Sequence, residues 1–202
     1  MSIAGLILAA GRGVRFGGDK RLVRLPDGRT LLEATLARHA GLSSPLWVVL
    51  RPGDEAASAL ARSYGAQILI CEDAHLGMGH SLACGARALM DEPELDGVVV
   101  DLADMPWVSA HTLRLIRQAL AEHGQAVVPL YQGRMGQPRG LPASCLAALA
   151  RLRGDEGARH IVSWQDAVHV DVDDHGILQD IDRPADLTRF TALASARPPS
   201  PL

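Results

Sequence analysis

The chain has 202 residues, 48% of them hydrophobic, with 20 Gly and 12 Pro, which suits one large globular domain or two small ones. With 20 Lys+Arg against 23 Asp+Glu, a formal charge of −3, and only two Phe, three Trp and two Tyr, it has neither the basic excess nor the aromatic surface of a nucleic-acid binder. Cys71, Cys84 and Cys145 are far apart and form no CxxC pair, so neither a disulfide framework nor a zinc knuckle is expected, and a reducing, cytoplasmic setting fits best.

The apolar start, Ile3–Ala9, has no basic residues before it and soon meets Arg12, so it reads as a buried strand rather than a leader or a membrane span. A capping box, Thr30-Leu31-Leu32-Glu33, opens a helix whose stripe is Leu31, Leu32, Thr35, Leu36 and His39. Strands are expected at Leu46–Leu50, Gln67–Ile70, Gly97–Leu102 and Ala126–Pro129, alternating with helices at Asp54–Tyr64, Ser81–Met90 and Ser109–His123. That alternation predicts a three-layer α/β/α fold on a mostly parallel open sheet, Rossmann-like in its crossovers.

Beyond Pro129 a Gly- and Pro-rich stretch, Gln132–Pro142, leads to helices at Ser144–Leu152 and Ala158–Gln165, a strand at Val168–Val172 and a helix from Pro184 to about Ala196. This part is expected to add a layer to a single domain of residues 1–196, with 197–202 a disordered tail.

Ligands in open α/β sheets collect at the carboxyl ends of the strands. After the first strand comes Leu8-Ala9-Ala10-Gly11-Arg12-Gly13-Val14-Arg15-Phe16-Gly17-Gly18-Asp19-Lys20. Its glycines let backbone amides approach an anion, and Arg12, Arg15 and Lys20 supply compensating charge, so a phosphate-rich ligand is expected. Arg21 after the lysine excludes the P-loop pattern, and Phe16 breaks the dinucleotide fingerprint. In the second segment, Gly77-Met78-Gly79-His80-Ser81-Leu82, the serine can cap the following helix and offer a hydroxyl to a ligand. The third, Asp101-Leu102-Ala103-Asp104-Met105-Pro106, ends a buried strand in two acids suited to magnesium beside phosphate oxygens.

The fourth segment, Asp171 to Asp182, imitates a calcium loop, but His175 at its fifth position, the short Asp182 at its twelfth and a strand in place of an entering helix argue against calcium. The eight histidines show no metal-ligand spacing and read mostly as surface residues, and no G-x-S-x-G elbow is present.

The first loop, L-A-A-G-x-G-x-R-F-G-x-x-K, resembles the signature loop of nucleotidyltransferases that move a nucleoside monophosphate from a nucleoside triphosphate. Gly77-Met78-Gly79-His80-Ser81-Leu82 resembles the G-x-G-x-S-L motif of the molybdenum cofactor cytidylyltransferases, a MobA-like NTP transferase group. Asp180-Ile181-Asp182-Arg183-Pro184-Ala185-Asp186-Leu187 and Gly154-Asp155-Glu156-Gly157-Ala158-Arg159 are similar to two further motifs of that family. The resemblance covers residues 5 to 187. It implies the nucleotide-diphospho-sugar transferase fold, magnesium on Asp104 and Asp182, and Arg15 and Lys20 on the triphosphate. It also implies a nucleotide pocket of Leu8, Ala9, Ala10, Gly11, Arg12, Gly13, Lys20, Gly79 and Ser81, with Asp101 orienting Asp104 or a metal-bound water.

Ala10 is similar to the cytidylyl branch, which implies CTP as donor and molybdopterin as the phosphate-bearing acceptor, with a molybdoenzyme as a further partner. Departures fall in the presumed acceptor region: Met135 for arginine, Gln137 for histidine, and Gly140-Leu141-Pro142 around the usual aromatic. A sugar- or polyol-phosphate nucleotidyltransferase, guanylyl transfer, and a non-catalytic cofactor carrier are the alternatives.

Overall fold

The computed structural model describes residues 1–11, 13 and 16–195, with side chains described as far as residue 190; Arg12, Arg15 and the expected tail at 197–202 lie outside the described residues. The expected strands form as β1 (Ser2–Leu8), β2 (Leu46–Leu50), β3 (Gln67–Ile70), β4 (Leu95–Leu102) and β5 (Val127–Tyr131). The helices between them are α1 (Leu31–His39), α2 (Glu55–Ser63), α3 (Met78–Met90) and α4 (Ala110–His123). Thr30 caps α1 as its sequence requires, with Glu33 completing the reciprocal box.

Three strands came without a composition signal or with a changed role. β6 (Arg134–Met135) and β7 (Arg139–Pro142) lie inside the Gly- and Pro-rich stretch, and β8 (Val168–Asp171) follows. Among the described residues the sheet has eight strands in the order β3-β2-β1-β4-β7-β5-β6, with β8 paired to β5. β1, β2, β3 and β4 pair in parallel, and β7 runs antiparallel between β4 and β5. The late segment therefore extends the one sheet instead of adding a layer.

The expected helix at 144–152 shortens to a 3-10 turn, Ala143–Cys145, and α5 (Leu146–Leu149). The one expected at 158–165 is only a 3-10 turn, Ala158–His160. Val162 and Trp164 both pack into the same core cluster, and residues two apart cannot share a face on a helix. The chain closes the described part with α6 (Pro184–Ser195).

Strand alternation divides the core. Ala4, Leu6, Val98, Val100 and Leu141 face α3 and α5, whereas Ile7 and Val48 face α1 and α2, and Ile3 and Val99 face α4. The same parity sends Asp101 behind the sheet. Its carboxylate is 0% exposed, 2.9 Å from Arg38 Nη2 and 3.0 Å from His39 Nε2. The neighbouring Leu102 amide donates to its other oxygen. Arg38 also donates to the carbonyls of Met105 and Val108, so the pair fixes the loop that follows β4.

Burial would raise the Asp101 carboxyl, but the Arg38 guanidinium and the His39 ring outweigh it and hold it below the ordinary carboxylate value. His39 is fully buried on the expected α1 stripe, and burial holds its pKa below the ordinary value despite Asp101. The neutral ring then carries its proton on Nε2, facing a carboxylate that can only accept, while Nδ1 accepts from the Ser43 hydroxyl at 2.8 Å.

A histidine held neutral in the fold but free to protonate when unfolded stabilises the protein above about pH 6.5, and that contribution is lost as pH falls toward the folded value. Asp101, also lowered, adds a second loss below about pH 4. Thermal melts between pH 8 and 5 are expected to show a falling Tm in the wild type and a flatter profile in His39→Gln; parallel profiles would contradict this role for His39.

Candidate functional site

At the carboxyl ends of β1 and β4 a cavity of about 330 Å3 is lined by Leu8, Ala10, Gly11, Ala74, His75, Gly77, Met78, Ser81, Leu102 and Asp104. Leu8 and Leu102 are paired across β1 and β4, so their side chains rise on the α3 side together. The Ala103 amide donates to the Leu8 carbonyl at 3.2 Å and continues that pairing past the strand end. Asp104 then turns inward beside Lys20.

Lys20 Nζ donates to Asp104 Oδ2 at 2.8 Å, to the Ile181 carbonyl at 2.6 Å and to Asp182 Oδ1 at 3.3 Å. The Ile181 amide donates to the Asp104 carbonyl at 2.9 Å, which ties the late acidic segment to the β4 loop. Ile181 itself is buried against Leu25, Leu31 and Ala34. Asp186 accepts from the amides of Asp182 and Arg183, so the second half of the D-I-D-x-P-x-D-L stretch starts α6 and fixes Asp182 in place.

Burial would lower the Lys20 ammonium, but Asp104 and Asp182 outweigh it and keep its pKa above the ordinary lysine value. Burial raises the Asp104 carboxyl, and Lys20 pulls against this without cancelling it, while Asp180 adds to the rise. Asp104 Oδ1 is buried with no hydrogen-bond partner among the described residues. Asp104 lines the cavity, and an under-compensated carboxylate there is suited to a hard cation. No group of three or more metal-ligating side chains occurs among the described residues, so any such ion would take its remaining oxygens from water or a bound phosphate chain.

The loop between β1 and Lys20 is held from behind. The buried Arg21 donates to the Ala9 carbonyl at 2.6 Å and pairs with Asp19 and Asp54. Arg51 donates to the Gly11 carbonyl at 3.2 Å and to Asp54. Asp54 stands at the N-cap of α2 yet makes no capping bond, because its carboxylate is taken up by the two arginines. Gly13, at φ +59, could not carry a side chain: a Cβ there would lie 2.5 Å from the Gly18 carbonyl oxygen.

The geometry brings together Leu8, Ala10, Gly11, Lys20, Ser81, Asp104 and Asp182, and separates three expected members. Asp101 is consumed by Arg38 and His39 on the opposite sheet face. Ala9 packs on the α1 and α2 side, with its carbonyl given to Arg21. Gly79 donates its amide to the Gly154 carbonyl at 2.8 Å and packs against residues 153–156. The glycine that reaches the cavity is Gly77, which is also the N-cap of α3; Ser81 therefore sits one turn inside the helix, not at its cap.

The middle of the calcium-like stretch is structural, whereas its last acid, Asp182, reaches Lys20. Asp174 is buried and accepts from the Ser109 amide, the Thr112 hydroxyl and the Gly176 amide. Sequence reasoning missed Arg21, Asp54 and Arg51; Arg21 adjoins the glycine-rich loop in sequence, whereas Arg51 and Asp54 follow β2 and reach the loop only in the fold.

The chain matches the MobA-like NTP transferase domain over residues 5–170. It belongs to that family. The purine catabolism protein PucB of Bacillus subtilis (strain 168) is 31% identical over 195 residues, 90% of this chain and 92% of PucB. The bifunctional protein GlmU of Mycobacterium sp. (strain KMS) is 33% identical over 143 residues, 67% of this chain but only 28% of GlmU. Rv0371c from Mycobacterium tuberculosis H37Rv superposes with a TM-score of 0.79 at 30% identity, covering 95% of this chain and 98% of that one. Its complex with manganese superposes at 0.75 and 28% identity, covering 95% and 99%. For a MobA-like NTP transferase, nucleotide transfer is the reaction class the site must serve. Among the described residues no helix is long and apolar enough to cross a membrane.

Replacing Lys20 by Met keeps an apolar stem and deletes the ammonium. A charge-assisted contact contributes about 1.5–3 kcal/mol, so triphosphate affinity should fall on the order of ten- to a hundredfold by calorimetry. Equal isotherms for the two proteins would remove Lys20 from the ligand site.

Proposed function

We propose that the protein transfers a nucleoside monophosphate, CMP from CTP, onto the phosphate of molybdopterin and releases pyrophosphate. The observation that carries this reading is the buried, unpartnered Oδ1 of Asp104 beside Lys20 on the wall of the cavity at the strand ends.

In this reading an acceptor phosphate oxygen forms a bond to the α-phosphorus in line with the bond that breaks to the β-phosphate oxygen, so no protein nucleophile is needed. Lys20, and Arg15 in the same loop, hold the triphosphate and the departing pyrophosphate. Asp104 and Asp182 hold a divalent ion, magnesium, which when bound supplies neutralisation of the charge gathering on the phosphate oxygens. The manganese complex of Rv0371C supports a divalent ion in this fold. Lys20 Nζ spans both of the carboxylates that would hold the ion.

Leu8, Ala10, Gly11, Gly77 and Ser81 form the base slot, with small residues and backbone groups to read the cytosine edge. A second cavity, of about 190 Å3, shares Leu8, Met78 and Leu102 with the first and continues along Leu82, Val100, Leu141 and Trp164. Its walls are largely apolar, with Gln137, Arg139, Asp155 and Arg159 as polar members, and favour a planar heterocyclic acceptor over a sugar phosphate. A molybdoenzyme that receives the product fits this reading.

The test is pyrophosphate release with each of CTP, GTP, ATP and UTP, with molybdopterin or a hexose 1-phosphate as acceptor, in magnesium. CTP with molybdopterin should exceed the other donors by roughly a hundredfold, since a mismatched base leaves buried polar groups unpaired. Asp104→Ala should abolish release without changing the circular dichroism spectrum. Release with the hexose phosphate alone would select the sugar-phosphate alternative, and no release with any pair would reject the reading.

A further inference from the structure

The second cavity contains a cation that the transfer chemistry above does not use. Arg139 begins β7 directly opposite Val100 of β4, and its side chain lies in the cavity with Gln137, Leu141 and Trp164. Its guanidinium carbon sits 4.3 Å from the centroid of the Trp164 ring. Its Nε donates to the Gly136 carbonyl at 3.2 Å. Among the described residues neither Nη group donates a hydrogen bond and no carboxylate pairs with the guanidinium.

The fully buried arginines near the site are neutralised, Arg21 by Asp19 and Asp54 and Arg38 by Asp101. Arg117 on α4 is half-buried and faces no acid, but it donates to the Ile3 carbonyl and the Ser43 hydroxyl behind the sheet. Arg139, also half-buried, is left with an indole face and one carbonyl at a cavity wall, and burial lowers its pKa with no acid to oppose the effect. A half-buried cation without a counter-charge is costly to the fold. An indole face holds a guanidinium flat and leaves its edge N–H groups directed outward, where they match a planar or tetrahedral anion. Trp164 is only 9% exposed, and its indole N–H is itself buried without a partner, so the polar groups of this wall are unsatisfied together.

We propose that Arg139, held by Trp164, is the acceptor-specificity residue: it anchors an anionic group on an acceptor whose apolar, planar body fills the second cavity. The inference rests on the transferase reading for calling the ligand an acceptor. Val100 lies within β4, whereas Asp104 lies in the turn beyond the strand's end at Leu102. Arg139 therefore grips the far end of the acceptor, and the reacting phosphate stays at Asp104. The class of acceptor is one with two anionic ends joined by an unsaturated, apolar framework.

The probes are phenyl phosphate, benzoate and phenol, titrated by calorimetry in excess magnesium pyrophosphate so that the phosphate loop is filled. Wild type should bind phenyl phosphate at least about tenfold more tightly than phenol, as a charge-assisted hydrogen bond requires. Benzoate in place of phenyl phosphate tells a carboxylate anchor from a phosphate one. Arg139→Leu should lose the preference for the anion while its Tm equals or exceeds that of wild type, and Arg139→Lys should retain part of it. In turnover, Arg139→Leu should raise KM for the acceptor and leave KM for the nucleoside triphosphate within about twofold.

No preference for anion over phenol in wild type, or a preference that survives in Arg139→Leu, would overturn the proposal. The two readings fail separately. Pyrophosphate release by a protein without the anion preference keeps the transferase and rejects the anchor; an Arg139-dependent preference without release with any acceptor does the reverse.

Discussion

The site depends on one ammonium group. Lys20 Nζ draws together Asp104, the Ile181 carbonyl and Asp182, from segments 84 to 162 positions away in the chain. Without a cation there, two acidic loops would meet at the mouth of a cavity, one of them carrying a carboxylate that burial already pushes toward its neutral form. The lysine serves the fold by holding the two loops together, and on the proposed reading the same charge is one that phosphate oxygens can recruit.

Behind this front the sheet carries a set of ion pairs that never reach the ligand. Period-two alternation at the end of β4 assigns Asp101 to the rear and Leu102 to the front, and Arg38 turns the rear carboxylate into an anchor for the loop bearing Asp104. Arg21 and Arg51 do the same for the glycine-rich loop through the carbonyls of Ala9 and Gly11. Such buried pairs add little net stability, but losing one partner leaves an unpaired charge, so they fix loop positions strongly. Arg139, by contrast, is only half-buried and faces no acid.

Much of the frame was legible in the sequence. The four parallel strands β1 to β4, the capping box at Thr30 and the burial of Leu31, Leu32, Thr35, Leu36 and His39 follow from periodicity and local capping chemistry. Lys20, Asp104 and Asp182 were legible as members of motifs, though no spacing along the chain announces that one ammonium spans both acids. β7 was hidden because Gly140 and Pro142 lack strand propensity; its position comes from pairing with β4, a tertiary effect. Asp101 lies behind the sheet and not in the cavity, because strand parity and a turn place two acids that look alike in sequence on opposite sides; it reaches Asp104 only through the loop that Arg38 anchors. Gly79 packs against residues 153–156, and in sequence a glycine needed for close packing reads the same as one needed to approach a ligand.

On the proposed reading, Asp104, beside Lys20 and Asp182, is where a divalent ion and a nucleoside triphosphate meet. Electron paramagnetic resonance of manganese titrated into the protein with CTP tests it without requiring an acceptor. Wild type should take up the ion with the nucleotide, and Asp104→Asn, which keeps the shape of the side chain but removes its charge, should lose most of that uptake. Manganese binding of equal strength in the two proteins would contradict the account.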